Sequence, residues 1–212
     1  MKPIFLTGTG TGIGKTVIAA ILAEALGADY WKPVQAGFQD GTDSQWVQSM
    51  LSNPESKTLP EAYKLAMAAS PHIAARSEGI TISITTITEL FSVIWQREKP
   101  LIVEGAGGLM VPLNDQKFVL DLIKALDATV ILVSRNYLGS INHSLLTAAA
   151  CNAHRLDVMG WIFNDQYLDY ETEIASWSGY PVIGSIPRGE QVNKEFIEEQ
   201  AARIRPALNH LL

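Results

Sequence analysis

The segment Gly8-Thr9-Gly10-Thr11-Gly12-Ile13-Gly14-Lys15-Thr16 carries residue types that bind phosphate, at a spacing that lets them act together. Glycines let a backbone turn successive N–H groups toward one point, and a helix start adds its own unpaired N–H groups. In such a loop Lys15 reaches the β- and γ-phosphates of a nucleoside triphosphate, and the Thr16 hydroxyl ligates Mg²⁺. The strict pattern, Gly-x-x-x-x-Gly-Lys-Ser/Thr, is missed by one residue: Thr9 stands in the first glycine position and the glycine is Gly8. A plain glycine turn is the competing reading. The apolar Ile4-Phe5-Leu6 before the loop and the Ala-, Leu- and Ile-rich stretch Lys15–Leu26 after it favour a strand-loop-helix phosphate site.

Other residues could complete that chemistry. Leu101-Ile102-Val103-Glu104 is an apolar run ending in an acid. Its carboxylate can hold Mg²⁺ directly or through water, or it can be a solvated acid opening a loop. Gly105-Ala106-Gly107-Gly108 follows, and glycines permit close approach of a ligand. Asp43 has two open readings, a metal ligand or the N-cap of the helical stretch after it. Lys32, stiffened by Pro33, is either a surface charge or a cation at a strand end facing the phosphate loop. Asn164-Asp165 could read a base or simply turn the chain. The Asn-Lys-x-Asp pattern of guanine readers is absent there, which favours ATP.

These residues need elements to hold them. Short apolar runs at Ile4–Thr7, Tyr30–Val34, Leu101–Glu104, Thr129–Ser134, Val158–Phe163 and Val182–Ile186 are predicted strands. Several are apolar throughout, as parallel strands covered on both faces are. Helical patterns are expected at Lys15–Leu26, Phe118–Leu126, Ser140–His154, Tyr170–Trp177 and Lys194–Leu211. Thr86-Ile87-Thr88-Glu89 has capping-box spacing before a helix over Leu90–Gln96. The alternation implies one α/β domain over residues 1–212, an open and mostly parallel sheet with helices on both faces. Gln35–Ser83 is expected to form loops and short helices over the sheet. The polar clusters nearly all follow a predicted strand, so the carboxyl edge of the sheet should gather them into one crevice.

Bulk properties exclude several classes. Two hundred and twelve residues (212) suffice for a real core, and 47% apolar with 18% charged residues is globular composition. A net charge of −6 opposes a nucleic-acid or anionic-membrane partner. One cysteine, Cys151, permits no internal disulfide. No zinc-ligand spacing connects His72, His143, His154 and His210. No apolar run reaches the ~20 residues of a membrane helix, and no export signal is legible. A cytoplasmic location is expected.

Taken in order along nearly the whole chain, these motifs resemble the dethiobiotin synthetase family, of P-loop NTPase type. The likeness covers Gly8–Thr16, Lys32-Pro33-Val34-Gln35-Ala36-Gly37, Asp43, Ser70-Pro71-His72 and Val103-Glu104-Gly105-Ala106-Gly107-Gly108. It continues through Leu138-Gly139-Ser140-Ile141-Asn142-His143, Gly160-Trp161 with Asn164-Asp165, and Gly184 with Ile186-Pro187. The resemblance implies a homodimeric cyclo-ligase that converts 7,8-diaminononanoate, CO₂ and ATP to dethiobiotin, ADP and phosphate. It implies Lys15, Lys32 and Thr11 at the reacting groups, and Thr16, Asp43 and Glu104 on Mg²⁺. Nucleotide contacts are expected from Gly12, Ile13, Gly14, Lys15, Thr16, Val17, Asp43, Glu104, Gly105, Ala106, Gly107, Asn164, Asp165, Pro187, Arg188 and Gly189. Arg188 is a candidate to stack on the adenine edge. Substrate contacts are expected from Thr11, Lys32, Ala36, and Gly139, Ser140, Ile141 and Asn142 of the partner.

The chain departs from the family pattern at Ala36, where a Ser or Thr hydroxyl is common, and at Gly10 and Gly12, where acids are common. Two rivals share this kind of loop. Partitioning ATPases usually carry a lysine five residues before the loop lysine, and here that place is Gly10. Small-molecule kinases generally bring lid arginines, which have no counterpart here.

Overall fold

The computed structural model describes residues 1–95, 98–165 and 168–211. The first apolar run forms β1 (Ile4–Gly8), and the glycine loop feeds α1 (Lys15–Leu26). There follow β2 (Asp29–Trp31), β3 (Val34–Ala36), α2 (Asp43–Met50), β4 (Thr58–Leu59), β5 (Tyr63–Leu65), α3 (Pro71–Ser77) and α4 (Ile84–Ile94). The second half alternates regularly: β6 (Leu101–Glu104), α5 (Val119–Ala125), β7 (Thr129–Arg135), α6 (Ser140–Ala153), β8 (Val158–Asn164), α7 (Glu171–Ser178), β9 (Val182–Ile186) and α8 (Lys194–Leu211).

Among the described residues the main sheet has seven strands in the order β4-β2-β6-β1-β7-β8-β9. All its pairings are parallel. Each strand of the centre divides its side chains between two cores. Phe5, Val103, Leu132, Trp161 and Phe163 face the layer that holds α4, α5, α6 and α7. Ile4, Leu6, Ile102, Ile131, Val133 and Ile162 face α1 and α8. Both faces are dry, so the strands read as unbroken apolar runs. The chain leaves β1 toward β2, then returns through β6 and proceeds from β7 to β9, so the direction of winding reverses around β1. The carboxyl ends at that reversal form the crevice where such sheets bind ligands.

Several expectations are corrected. The run Tyr30–Val34 is not one strand. Pro33 has no N–H to give a ladder, and the chain breaks at Lys32-Pro33 into β2 of the main sheet and β3, which pairs in parallel with β5 in a separate two-stranded sheet. The stretch from Gln35 to Ser83 therefore holds three short strands as well as the expected short helices. One of them, β4, forms an edge of the main sheet. The helix expected from Thr86 begins earlier: Ser83 is the N-cap of α4 and its side chain accepts from the Thr86 N–H. A capping hydroxyl reaches the N–H three residues on, so Ser83 and Thr86 carry the spacing that had been assigned to Thr86 and Glu89. The expected helix end at Gln96 lies outside the described residues. Among the described residues no helix is long and apolar enough to cross a membrane. Cys151 sits on the buried face of α6, and burial pushes its thiol up to about 12.

Candidate active site

The helix starts differ in a way that bears on ligands. At α2, Thr42 is the N-cap and forms a complete capping box with Gln45. At α1 the N-cap is Gly14 in the left-handed region (φ 90), with no side-chain cap and no acid in the first turn. The first N–H groups of α1 are thus left for something outside the helix, and an anion is what the dipole favours there. Gly8 is required for another reason. A β-carbon on it would lie 2.1 Å from the Val133 carbonyl oxygen, so the loop can leave β1 only as glycine.

Beside this loop sits a buried charge cluster. Glu104, at the end of β6, is only 2% exposed. Its Oε1 accepts from the Thr16 hydroxyl at 3.1 Å and from Lys32 Nζ at 3.1 Å. Its Oε2 accepts from the Tyr30 hydroxyl at 2.8 Å. Lys32 Nζ also pairs with Asp43 Oδ2. One ammonium therefore lies between two carboxylates brought from β6 and α2, with the Thr16 hydroxyl on the same oxygen of Glu104. Burying an acid this deeply is tolerated only because each oxygen is bonded. The same burial, followed by the charge of Glu104, raises the Tyr30 phenol well above its ordinary value.

Lys15 is buried and donates to the Gly10 carbonyl at 2.6 Å. Burial lowers its pKa to about 8; the nearby Glu104 works in the opposite direction and Lys32 adds to the lowering. A triphosphate in the loop offers this ammonium the opposite charge that its surroundings only partly supply.

Two clefts open along this edge. The larger, of about 1220 Å³, is lined by Thr11, Lys32, Ala36, Asp43, Ala106 and Gly107, with residues around α3 on its far wall. The smaller, of about 520 Å³, runs between Thr9–Ile13 and Arg135, Asn136, Tyr137, Asp165 and Arg188. Thr11 lines both.

Most of the residues expected at the site converge here, but not all in the roles expected. Asp43 is not a helix cap, because Thr42 takes that position; its side chain turns to Lys32 instead. Gly105 and Gly108 are required by packing, whatever ligand they meet. A β-carbon on Gly105 would strike the Phe5 ring at 2.7 Å, and one on Gly108 would meet the Gly8 carbonyl at 2.9 Å. Asn164 spends an amide hydrogen on the Ile13 carbonyl at 2.9 Å. Asp165, in the left-handed region (φ 61), is paired with Arg135 at 2.7 Å. Arg188 is exposed on the smaller cleft. Gly189 lies against Phe196.

Gly139 to Asn142 line neither cleft. Gly139 (φ 100) opens α6 with no side-chain cap, as Gly14 opens α1. Ser140 is buried, and its hydroxyl serves the Tyr137 N–H and the Tyr170 hydroxyl rather than the turn of α6. The Ser140 N–H goes to the Tyr137 carbonyl at 2.9 Å, which leaves the Ile141 and Asn142 N–H groups without a partner among the described residues, and Leu138 beside them is 86% exposed.

The sequence reading missed Tyr30 and Gln35. Tyr30 precedes Lys32 by the two-residue strand period, the one signal that could have linked them. Gln35 accepts from the Asp43 N–H at 3.3 Å and donates to the Gly37 carbonyl at 2.7 Å, tying β3 to the start of α2. No local pattern announces it.

A family model described as an AAA domain matches residues 2–196. The chain is 44% identical to an ATP-dependent dethiobiotin synthetase of Cytophaga hutchinsonii, over 96% of this chain and 97% of that protein. It is 43% identical to that of Christiangramia forsetii, over 98% of each. The chain belongs to the ATP-dependent dethiobiotin synthetase family. Solved structures similar to this member of the family include the cell division ATPase MinD of Pyrococcus furiosus, at TM-score 0.60 and 14% identity over 100% of both chains. A ParA family ATPase of Chlorobium tepidum matches at TM-score 0.58 and 15% identity, over 99% of this chain and 91% of that one. At such identity the likeness concerns the fold alone. The lysine expected of those ATPases is replaced here by Gly10, whose carbonyl receives Lys15 instead.

Proposed function

We propose that residues 1–212 act as one catalytic domain, an ATP-dependent cyclo-ligase of the cytoplasm that makes dethiobiotin from 7,8-diaminononanoate, CO₂ and ATP. The observation that carries this reading is the cluster of Lys32 with Asp43 and Glu104, joined to an uncapped phosphate loop through the Thr16 hydroxyl and open to a cleft large enough for a second substrate.

In this reading the triphosphate lies on Gly12 to Val17 with Lys15 on its β- and γ-phosphates. Thr16, Asp43 and Glu104 hold Mg²⁺. The donor set fits that ion. It consists of hard oxygens, and its two carboxylates already surround a cation in the form of Lys32. Such an ion keeps several water and phosphate oxygens in its shell, so two carboxylates and a hydroxyl are enough protein donors. When bound, Mg²⁺ supplies neutralisation of phosphate charge. The protein's own groups do the rest. Lys32 faces the cleft in which one substrate amine takes up CO₂, losing a proton to become a carbamate. The carbamate oxygen attacks the γ-phosphorus and ADP leaves. The second amine then attacks the carbonyl carbon, closing the urea ring as phosphate departs. Both reacting partners are anionic in the middle step, so cations placed beforehand lower its barrier. Thr11, on the rim shared by both clefts, is positioned to hydrogen-bond the carbamate or the reacting amine. Ala36 offers only a methyl group to the substrate.

Phosphate release tests the activity. Release from ATP is expected only with both the diamine and bicarbonate present. ADP formation with an acceptor alone, its phosphoryl group transferred and no phosphate freed, would indicate a kinase, and phosphate release with neither would indicate a switch ATPase.

The substrate's carboxylate tail is assigned to the start of α6 in a partner subunit of a homodimer. The support is the uncapped glycine start of α6, suited to an anion without a cation, and the absence of Gly139 to Asn142 from the lining of either cleft of their own chain. A mixed dimer checks this. A Lys15→Ala subunit is combined with a Gly139→Trp subunit, in which a side chain strains the left-handed backbone and covers the helix start. Each parent dimer should be inactive, and the mixture should regain activity from the one site that joins two intact halves. A mixture as inactive as its parents would sink the shared site.

A further inference from the structure

We infer that Asn164 is a positioning residue for the phosphate loop, tethering the Ile13–Gly14 turn so that the start of α1 faces the triphosphate. The inference rests on the reading of Gly8–Thr16 as a triphosphate loop and goes beyond any contact Asn164 makes with a base. Asn164 is the last residue of β8, two strands away from β1. Its side chain crosses the end of β7 and donates from Nδ2 to the Ile13 carbonyl at 2.9 Å. At the next residue, a β-carbon on Gly14 would lie 2.0 Å from the same nitrogen and 3.0 Å from Cγ. Gly14 and Asn164 are thus interlocked. The glycine is required both by its positive φ and by the amide that fills the space beside it.

The loop has few other restraints. Its helix start has no side-chain cap and no acid in the first turn. Thr9 N–H donates to the Val133 carbonyl at 3.1 Å and holds the entry of the loop. Lys15 bonds Gly10 at 2.6 Å, but in the proposed reaction that ammonium turns to phosphate. At the exit the Ile13 side chain is buried in the core and the Thr16 hydroxyl bonds Glu104 at 3.1 Å, a bond that in the proposed reaction gives way to the metal; Asn164 is the polar tether on the Ile13–Gly14 turn itself, where the helix N–H groups emerge. It is well anchored. Its carbonyl accepts from the Asn136 N–H at 3.0 Å, and it pairs within the sheet against Arg135 and Ile186. Asn164 lines neither cleft, and the bond to Ile13 is the side-chain contact on which its role rests.

Inorganic tripolyphosphate separates the tether from any contact with a base, because it has none. Binding of MgATP and of tripolyphosphate is measured calorimetrically in the wild type, Asn164→Ala and Asn164→Asp. Loss of one neutral hydrogen bond corresponds to roughly a 3- to 10-fold weakening, and the tether requires this weakening for tripolyphosphate as well as ATP. Asn164→Asp, equal in size but without the donor, should bind no better than Asn164→Ala. Hydrogen exchange of the ligand-free proteins reads the tether without any ligand. Amides of residues 12–18 should exchange faster in both variants while those of β7 and β8 stay protected. Weakened ATP with unchanged tripolyphosphate and unchanged loop exchange would leave Asn164 a base reader only and overturn the inference. Faster loop exchange in a protein whose wild type binds no tripolyphosphate would uphold the tether and reject the triphosphate reading instead.

Discussion

Lys32→Ala is expected to lower the turnover number by roughly 10²-fold or more, the scale seen when one preorganised charge is withdrawn from a transition state. The structure explains why so much depends on this side chain. Its ammonium ends where β2 gives way to Pro33 and lies against both Glu104 and Asp43, on the wall of the cleft assigned to the carbamate. The attack of a carbamate on a triphosphate brings two anions together, and an alanine leaves the carboxylates on the wrong side of that balance. ATP binding should suffer less than in Lys15→Ala, because Lys15 belongs to the loop itself. Steady-state kinetics with a separate ATP titration distinguish the two variants. Removing one partner of a buried ion pair also destabilises by up to about 3–5 kcal/mol; Asp43 is 32% exposed at its side chain, so solvent screens part of that cost. Thermal unfolding of the variant is therefore the control. Near-normal turnover in a folded Lys32→Ala protein would remove Lys32 from the reaction.

Glu104→Gln is expected to raise the Mg²⁺ concentration for half-maximal activity by about 10-fold or more, the range found when groups that hold or orient a metal's ligands are lost. Glu104 receives Thr16, Lys32 and Tyr30 at once. A glutamine keeps the shape but cannot accept all three bonds with equal geometry, since one of its oxygens has become a donor. Asp43→Asn should move the Mg²⁺ requirement in the same direction, and it also removes the charge partner of Lys32, so thermal unfolding is the control here too. The start of α2 is capped by Thr42 and not by Asp43, so the helix does not depend on the substitution. Activity titrated against Mg²⁺ at saturating ATP measures both. A requirement unchanged in Asp43→Asn would exclude this residue from the metal site.

Much of this molecule is readable from local pattern. The phosphate loop is contiguous, so Gly8 to Thr16 carry their meaning together in sequence, and the strand before and helix after them follow from apolar runs and helix formers. The parallel sheet follows from strands apolar on both faces, as Phe5 and Leu6 show by entering opposite cores. Strand ends carry the polar clusters, which already places Lys32, Glu104 and Asn164 on one edge. Other features depend on contacts across long separations. Pro33 divides β2 from β3, yet whether the second piece stays in the main sheet is decided by its pairing with β5. Asp43 looks like a cap because caps and ligands share the same short polar side chains; Thr42 wins the position because it alone completes the box with Gln45. Gly105 and Gly108 must be glycine because of Phe5 and Gly8, residues separated from them by most of the first half of the chain. Tyr30 joins Glu104, and Asn164 reaches Ile13, only once the strand order sets them side by side. Sequence by itself determined the types of the elements and the chemistry available at their ends. Tertiary structure decided which of those groups meet, because a hydrogen bond or ion pair depends on distances of a few ångströms that chain order alone leaves open.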